Sequence, residues 1–105
     1  MALEIERRYE KEKNIWIIEP KGDIDIFSSP QFKETLLGVI EEGQDVLIDG
    51  SQLAYIDSTG LGVLISGLKK IKENNKNIAF QNIKPNVEKL FSITGLDKIF
   101  LVGEN

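Results

Sequence analysis

The residues best suited to chemistry stand together in the segment Asp57-Ser58-Thr59-Gly60, where a carboxylate and two hydroxyl groups precede an apolar stretch. The apolar pattern after this segment predicts a helix that begins near Ser58. At a helix start, free backbone N–H groups and the positive end of the dipole stabilise an anion by roughly 0.3–1 kcal/mol, and by up to ~2 kcal/mol when it is partly buried. Ser58 is therefore a candidate site for a phosphate. Asp, Ser and Thr are also the preferred N-cap residues, and capping alone is the commoner role of such a triplet.

Two pairs of carboxylates offer a second kind of chemistry. Asp23 pairs with Asp25, and Asp49 pairs with Asp57, around the ends of predicted strands. Carboxylate oxygens bind hard metal ions and serve in acid–base catalysis. Asp more often forms turns and caps, so we expect neither a metal ion nor a cofactor. A nucleotide-binding loop is not indicated, because Gly60-Leu61-Gly62 lacks the third glycine of the dinucleotide fingerprint and the chain has no Gly-Lys-Ser/Thr phosphate loop.

Composition narrows the range of possible enzymes. The 105 residues include no Cys and no His, which excludes thiolate nucleophiles, thiolate metal sites and hydrolases of the Ser-His-Asp or Cys-His type. Thirteen basic and seventeen acidic residues, interleaved along the chain, give a net charge of -4, so we expect no direct contact with nucleic acid. No apolar run approaches the ~20 residues of a membrane-spanning helix, and no signal peptide is recognisable. These features favour a cytoplasmic binding or signalling module, without membrane contact, over an enzyme.

The first part of the sequence predicts a β-hairpin. Apolar and polar residues alternate over residues 3–10, which is the pattern of an edge strand with one wet face. The run Ile15-Trp16-Ile17-Ile18 is apolar on both faces, so we expect it to be a buried second strand. Pro20 and Gly22 are expected to end that strand.

A first helix is predicted over about residues 30 to 42. Ser28-Ser29-Pro30 precedes it, and here a Ser hydroxyl is expected to accept the free backbone N–H groups of the first turn. Apolar residues follow at the helical period, and Gly43 suits the left-handed residue that ends the helix. The short strand Val46-Leu47-Ile48 comes next, and its arrival through a helix implies parallel pairing.

The helix that begins near Ser58 carries a continuous apolar stripe, followed by lysines that complement the negative end of its dipole. The stripe and the lysines are Leu61, Leu64, Ile65, Leu68, Ile71, Lys69, Lys70 and Lys72. Gly60, Gly62 and Gly67 lie in the same helix, and each costs up to ~1 kcal/mol relative to Ala. Close approach by another backbone or by a partner would explain these glycines, and packing against the sheet would explain them equally well.

The rest of the chain predicts a strand, a third helix and a last strand. These are Ile78-Ala79-Phe80, a helix from Pro85 with a Schellman-type end at Gly95 and Leu96, and Ile99-Phe100-Leu101-Val102. The predicted order is therefore β-β-α-β-α-β-α-β. This order is typical of a single α/β domain over residues 1–105, with a mixed, mostly parallel sheet, an N-terminal β-hairpin and helices packed on the sheet.

In such sheets, partners and ligands meet the loops at the carboxyl ends of the strands. Three predicted loops lie at these ends, and they carry Asp23-Ile24-Asp25, Asp57-Ser58-Thr59-Gly60 and residues 82–85. The second loop holds the candidate phosphate site, so the three loops together are the expected interaction surface.

Three motifs resemble those of the STAS domain family, the anti-sigma factor antagonists, and the resemblance covers almost the whole chain. Residues 57–64 are similar to the family's Asp-Ser-(Ser/Thr)-Gly-Leu-Gly signature. Gly22-Asp23-Ile24-Asp25 resembles the Gly-x-(Leu/Ile)-Asp loop after the family's second strand, and residues 90–96 resemble its Leu-Phe-x-x-(Ser/Thr)-Gly-Leu stretch. The first motif is specific, and the other two agree with it in spacing and order.

The resemblance implies a partner-switching regulator that is not an enzyme. Unphosphorylated, such a protein binds an anti-sigma factor that is also a serine kinase, and so releases a sigma factor. The kinase then phosphorylates the antagonist and ends the complex, and a serine phosphatase resets the switch. In this chain the resemblance makes Ser58 the phosphoacceptor, with Asp57 beside it, Asp25 as the loop carboxylate and Asp23 at a variable position. The implied partner-binding residues are Asp23, Asp25, Asp57, Ser58, Thr59, Gly60, Leu61 and Gly62.

Simple electrostatics agrees with this reading of Ser58. A phosphate would add about -1.5 to -2 charge at pH 7 next to Asp57, and near Asp23 and Asp25 if the loops converge. A partner that fits a neutral hydroxyl would meet both a clash and a repulsion, while the helix dipole keeps the free protein folded. We therefore expect phosphorylation to break the complex and to leave the fold intact.

Two features depart from the family's pattern. Thr59 stands where many members have a second Ser, so the kinase has two neighbouring hydroxyls, those of Ser58 and Thr59, as candidate acceptors. Typical members also continue past the last strand into another helix, whereas this chain stops three residues after Val102. We therefore expect part of the sheet to lie uncovered, with self-association, a different partner surface or a shortened regulator as open consequences.

Two alternatives stay open. A STAS module can act as a structural or ligand-sensing interaction domain in a larger signalling assembly, which predicts association without phosphate turnover. A small enzyme or nucleotide-binding protein would instead use Asp23, Asp25 and Asp57, and nucleotide or Mg²⁺ would then stabilise the protein against heat.

Overall fold

The chain begins with the predicted hairpin. The structure, a computed structural model, describes residues 2–103, with side chains through residue 100. Strand β1 (Glu4–Glu10) pairs antiparallel with strand β2 (Ile15–Ile24). An ion pair of 2.7 Å joins the Lys21 Nζ to the Glu6 Oε1 across the two strands. The hairpin prediction is confirmed.

The elements after the hairpin alternate between helices and parallel strands. They are α1 (Ser29–Ile40), β3 (Asp45–Asp49), β4 (Leu53–Ile56), α2 (Ser58–Lys72), β5 (Ile78–Gln81), α3 (Pro85–Thr94), a short 3-10 helix (Leu96–Lys98) and β6 (Leu101–Gly103). The sheet order is β1-β2-β3-β5-β6, and β4 pairs with the far end of β2. Every pairing after the hairpin is parallel within residues 2–103, which confirms the predicted α/β class and mixed sheet. Over the same residues, no helix has the length and apolar character needed to cross a membrane.

Strand β2 is longer than the sequence pattern indicates, because Pro20 and Gly22 lie inside it. The strand has two parallel neighbours in succession, β3 along residues 15–18 and β4 along residues 22–24. Pro20 lies between these stretches, outside both ladders, where a missing N–H is tolerated. Gly22 has a φ of +115° at a register shift, and a Cβ there would lie 2.5 Å from the Ala2 carbonyl oxygen. The prediction that these two residues end the strand is wrong.

Strand β4 is absent from the predicted order. It has only four residues, of which Leu53 and Ile56 are buried, so it is too short for a period to show. By pairing with β2 at Ile24, this strand brings the start of α2 beside the end of β2.

The last strand begins later than predicted. Gly95 adopts the left-handed conformation, with φ of 77°, as its predicted role as a helix end requires. The chain then enters the 3-10 helix, and the N–H groups of Ile99 and Phe100 both bond back to the Leu96 carbonyl at 3.0 Å. Ile99 and Phe100 therefore close this turn, and β6 starts only at Leu101.

The core lies between one face of the sheet and the helices. Its most buried members include Ile18, Ile48, Leu36, Ile40, Leu64 and Ile71. Helix α2 approaches α1 closely at Gly67, where a Cβ would lie 2.7 Å from the Leu36 Cδ2. Phe80 meets both Phe91 and Phe100 edge to face, with ring centroids 5.1 and 5.4 Å apart. This packing fixes the helices, and with them the helix starts that form the site.

The opposite face of the sheet is partly open over the residues whose side chains are described. Leu47 and Ala79 are half-buried there, between residues that point into the core. A shallow cleft of about 230 Å³ lies on this side, lined by Ile15, Asp45, Val46, Leu47, Asn77 and Ala79.

Candidate functional site

The loops that follow β2 and β4 meet because these strands are parallel neighbours. Ile24 lies opposite Ile56 at their carboxyl ends, and the Asp57 N–H donates to the Ile24 carbonyl at 3.1 Å. The loop of residues 25–28, which leads into α1, therefore lies beside the start of α2. Two of the three loops predicted to form the interaction surface are brought together in this way.

Asp57 is the residue that caps α2. Its Oδ1 accepts hydrogen bonds from the backbone N–H groups of Thr59, at 2.9 Å, and Gly60, at 3.3 Å. The Thr59 hydroxyl donates to the same oxygen at 2.5 Å. These bonds satisfy two of the free N–H groups that a helix start leaves. The predicted helix start near Ser58 is confirmed, and its capping depends on Asp57.

The environment of Asp57 favours its charged form. The Thr59 hydroxyl lowers the pKa of Asp57 below its ordinary value, while burial acts in the opposite direction. The backbone N–H groups of Gly60, Thr59 and Ile26 add to the lowering. Ile26 belongs to the loop before α1, so this loop lies close enough to the Asp57 carboxylate to affect its pKa.

Ser58 and Thr59 are neighbours with different environments. Thr59 is half-buried and its hydroxyl is engaged by Asp57. Ser58 is the first residue of α2 and is exposed. Its hydroxyl makes no hydrogen bond to any part of the chain that the structure describes. Of the two hydroxyls, only that of Ser58 is presented to a reagent or a partner.

Asp25 organises the loop before α1. Its Oδ1 accepts hydrogen bonds from the backbone N–H groups of Phe27, at 2.9 Å, and Ser28, at 3.0 Å. Its backbone carbonyl accepts from the Ser29 N–H at 2.7 Å. The carboxylate therefore points at the backbone of its own loop. Asp25 holds this loop in shape beside the start of α2.

Ser28 does not cap α1 with its hydroxyl, so that prediction is wrong. The hydroxyl donates to the Asp23 carbonyl at 2.7 Å and accepts from the Asp25 N–H at 2.9 Å. It faces back along the loop because the Asp25 carboxylate already occupies the N–H groups of the turn. Asp23 is half-buried, lies opposite Tyr55 of β4 and has interactions of its own.

Asp49 and Asp57, the other predicted carboxylate pair, bind different parts of the chain. Asp49 accepts from the Ser51 N–H at 3.0 Å and from the Asn82 Nδ2 at 3.1 Å. Burial raises the pKa of Asp49, but these hydrogen bonds outweigh burial and the net shift is downward. Asp49 and Asn82 thus join the turns after β3 and β5, whereas Asp57 serves the start of α2. No group of three or more acidic side chains in residues 2–103 is placed to hold a metal ion.

The three glycines of α2 have different explanations. A Cβ on Gly60 would lie 2.6 Å from side-chain atoms of both Ile24 and Ile56, so the helix start packs on the strand ends only without a side chain there. Gly67 is explained by its contact with α1. Gly62 is exposed, and a Cβ there would meet nothing within 4 Å in the described structure. Packing therefore does not account for Gly62. It lies one turn after Ser58, on the same face of α2.

Two apolar residues beside the site were not singled out by the motifs. Ile26 and Phe27 lie in the loop before α1 and are 64% and 90% exposed. The signal that could have found them is their place, since an apolar pair between Asp25 and Ser28 belongs to neither the strand period nor the helix period.

Comparisons with known proteins agree on one family. The STAS domain model matches residues 6–105. An anti-sigma-B factor antagonist from Bacillus subtilis strain 168 is 37% identical over 78 residues, which cover 74% of this chain and 72% of that protein. One from Staphylococcus epidermidis is 34% identical over 84 residues, which cover 79% and 78%.

Solved structures agree in fold. An anti-sigma factor antagonist from Mycobacterium paratuberculosis matches with a TM-score of 0.81 at 21% identity, covering 96% of this chain and 85% of that one. The Bacillus cell fate determinant SpoIIAA in its phosphorylated form matches with a TM-score of 0.71 at 18% identity, covering 99% and 91%. The family model and the two curated relatives establish that the chain belongs to the STAS domain family.

Proposed function

We propose that this chain is an anti-sigma factor antagonist that is switched by phosphorylation of Ser58. The observation that carries the proposal is the Ser58 hydroxyl, which is exposed and free of hydrogen bonds within residues 2–103, at the start of α2. The names of the curated relatives support the antagonist role. The proposed partners are an anti-sigma factor that is a serine kinase, and a serine phosphatase that restores the hydroxyl, both in the cytoplasm. The proposed role is regulatory and not enzymatic.

The position of Ser58 explains how a phosphate would act. The N–H groups of Thr59 and Gly60 are already bound by Asp57, so a phosphate on Ser58 would stay on the surface. There it adds about -1.5 to -2 charge at pH 7 beside the Asp57 carboxylate. The positive end of the α2 dipole offsets part of that repulsion. The modified protein therefore keeps its fold, while a partner seated on Ser58 is expelled by size and charge.

Ser58 is a better acceptor than Thr59 for a structural reason. Phosphorylation of Thr59 would remove the hydroxyl hydrogen bond to Asp57 and place a dianion against that carboxylate. Phosphorylation of Ser58 breaks no hydrogen bond in the described structure. This difference supports Ser58 over Thr59 as the proposed phosphoacceptor.

Binding measurements on two variants test the proposal. Ser58→Ala is expected to bind the anti-sigma factor of the same genome permanently, and Ser58→Asp is expected to bind it at least about tenfold more weakly, the loss typical of a central interface residue. Isothermal titration calorimetry measures both affinities. Ser92→Asp is the matched control, because Ser92 is also exposed but lies in the last part of α3. Equal affinities of Ser58→Ala and Ser58→Asp would contradict the switch.

The open sheet face favours one other candidate, a STAS module that senses a ligand or joins a larger assembly without phosphate switching. The cleft of about 230 Å³ has apolar walls from Ile15, Leu47 and Ala79. Such a module would bind its assembly equally well as Ser58→Ala and as Ser58→Asp, so the same measurement separates the two functions.

A further inference from the structure

An apolar lobe, made of the side chains of Ile26 and Phe27, projects beside Ser58. Phe27 is 90% exposed and Ile26 is 64% exposed, and within the described residues Phe27 is the most exposed large hydrophobic side chain. Neither residue belongs to the hydrophobic core. Aromatic side chains supply a large share of the binding energy at protein interfaces, where they fill pockets on the partner. The lobe therefore has the chemistry of an interface anchor.

The lobe is held by hydrogen bonds. The Asp25 carboxylate accepts from the Phe27 N–H at 2.9 Å, and the Ser28 hydroxyl accepts from the Asp25 N–H at 2.9 Å. The Asp25 carbonyl accepts from the N–H groups of Ser28, at 3.2 Å, and Ser29, at 2.7 Å. These bonds hold the loop backbone that carries the two apolar side chains. A preorganised anchor loses little conformational freedom when it binds.

The lobe lies next to the phosphorylation site because β2 and β4 are parallel neighbours that end side by side. The Asp57 carboxylate bonds to the backbone of α2 next to Ser58, and the Asp57 N–H donates at 3.1 Å to the carbonyl of Ile24, two residues before Ile26. A partner seated on the Ser58 hydroxyl is therefore within reach of the lobe. The surface has two parts, an apolar part that supplies affinity and a hydroxyl part that can be switched.

We propose that Ile26 and Phe27 are the docking anchor of this protein, and that they insert into an apolar pocket on the anti-sigma factor next to the place where it meets Ser58. The inference rests on the proposed function and names the residues that supply affinity. A second copy of this chain is a poor occupant. Two copies joined through the lobe would bring the Asp25 and Asp57 carboxylates of each close to those of the other, in a protein of net charge -4.

Alanine variants measured by calorimetry against the anti-sigma factor test the anchor. Phe27→Ala is expected to weaken binding by about tenfold or more, as truncation of an aromatic hot spot does, and Ile26→Ala by a smaller factor. Phe27→Leu, which keeps an apolar side chain, is expected to recover part of the affinity. Ile93→Ala is the matched control for Ile26, because Ile93 is 71% exposed but lies on α3. Its affinity should equal that of the unchanged protein, and all variants should keep the same melting temperature.

The outcomes separate the anchor from the switch. If Phe27→Ala binds like the unchanged protein while Ser58→Asp does not, the anchor is wrong and the switch stands. If the unchanged protein neither binds an anti-sigma factor nor accepts phosphate, both proposals are overturned. If size-exclusion chromatography shows a dimer that Phe27→Ala converts to a monomer, the occupant of the lobe is a second copy and the proposed partner is wrong.

Discussion

The two connections between a strand and a helix at this edge of the sheet are built from similar residues and use them differently. Between β2 and α1 the chain has Asp25 and Ser28, and between β4 and α2 it has Asp57 and Ser58. In both, the Asp carboxylate binds the backbone N–H groups of the turn. The Ser28 hydroxyl is enclosed by the loop, whereas the Ser58 hydroxyl faces outward. A serine near a helix start therefore has a structural role when its hydroxyl bonds to the loop, as in Ser28. Its hydroxyl is available to a partner when it makes no such bond, as in Ser58.

The two glycines near the start of α2, of which Gly60 is packed and Gly62 is not, predict the largest effect on stability. Gly60→Ala places a methyl group 2.6 Å from atoms of Ile24 and Ile56, and such overpacking costs about 1–3 kcal/mol of unfolding free energy. Gly62→Ala meets open space and should stabilise the protein by up to about 1 kcal/mol, the difference in helix propensity. Urea unfolding of the two variants measures both values. Equal stabilities would contradict the tight seating of α2 on the strand ends.

Ser28 and Ser58 predict the second largest effect on stability. Ser28→Ala removes a hydroxyl with two short hydrogen bonds to the loop backbone, and should lower the unfolding free energy by about 1 kcal/mol. Ser58→Ala removes a hydroxyl without a partner in the described structure, and should change stability by less than about 0.5 kcal/mol. Chemical denaturation of the pair checks the comparison directly. A larger loss in Ser58→Ala than in Ser28→Ala would reverse it.

The titration of Asp57 predicts a smaller effect that depends on pH. Because the folded protein lowers the pKa of Asp57 below its ordinary value of 3.8, its carboxylate stabilises the fold fully above that value. The contribution is lost as the pH falls through the lower, folded pKa. Asp57→Asn should therefore be less stable than the unchanged protein at pH 7, and the difference should shrink in acid. A difference that stays constant from pH 7 to the acid range would show that the charge of Asp57 is unimportant.

The sequence predicts the frame of the site better than its contacts. The hairpin, the parallel strands, the helix start near Ser58 and the end of α3 at Gly95 follow from period and capping chemistry, which act locally. Strand β4 could not be predicted, since its four residues are held by pairing with β2. That pairing also brings Asp57 to Ile24, where the Asp57 N–H bonds to the Ile24 carbonyl, a contact between residues distant in sequence.

The hydrogen-bond partners of single side chains also could not be predicted from the sequence. The sequence shows Ser28 and Ser58 as equal candidates for capping, and only the direction of the Asp25 and Asp57 carboxylates separates them. The glycines of α2 are similar in this respect. Gly60 and Gly62 have the same propensity cost, but only Gly60 lies against the strand ends.

Mapping of the phosphate tests the central claim, that Ser58 is the available hydroxyl of the site, most directly. The purified protein is incubated with ATP and the serine-kinase anti-sigma factor of the same genome, and the modified peptide is located by mass spectrometry while the complex is followed by size-exclusion chromatography. Phosphate on Ser58 alone, with none on Ser28 or Thr59 and with loss of the complex, is the predicted result. Phosphate on Thr59 or Ser28, or a complex that persists after Ser58 is modified, would contradict it.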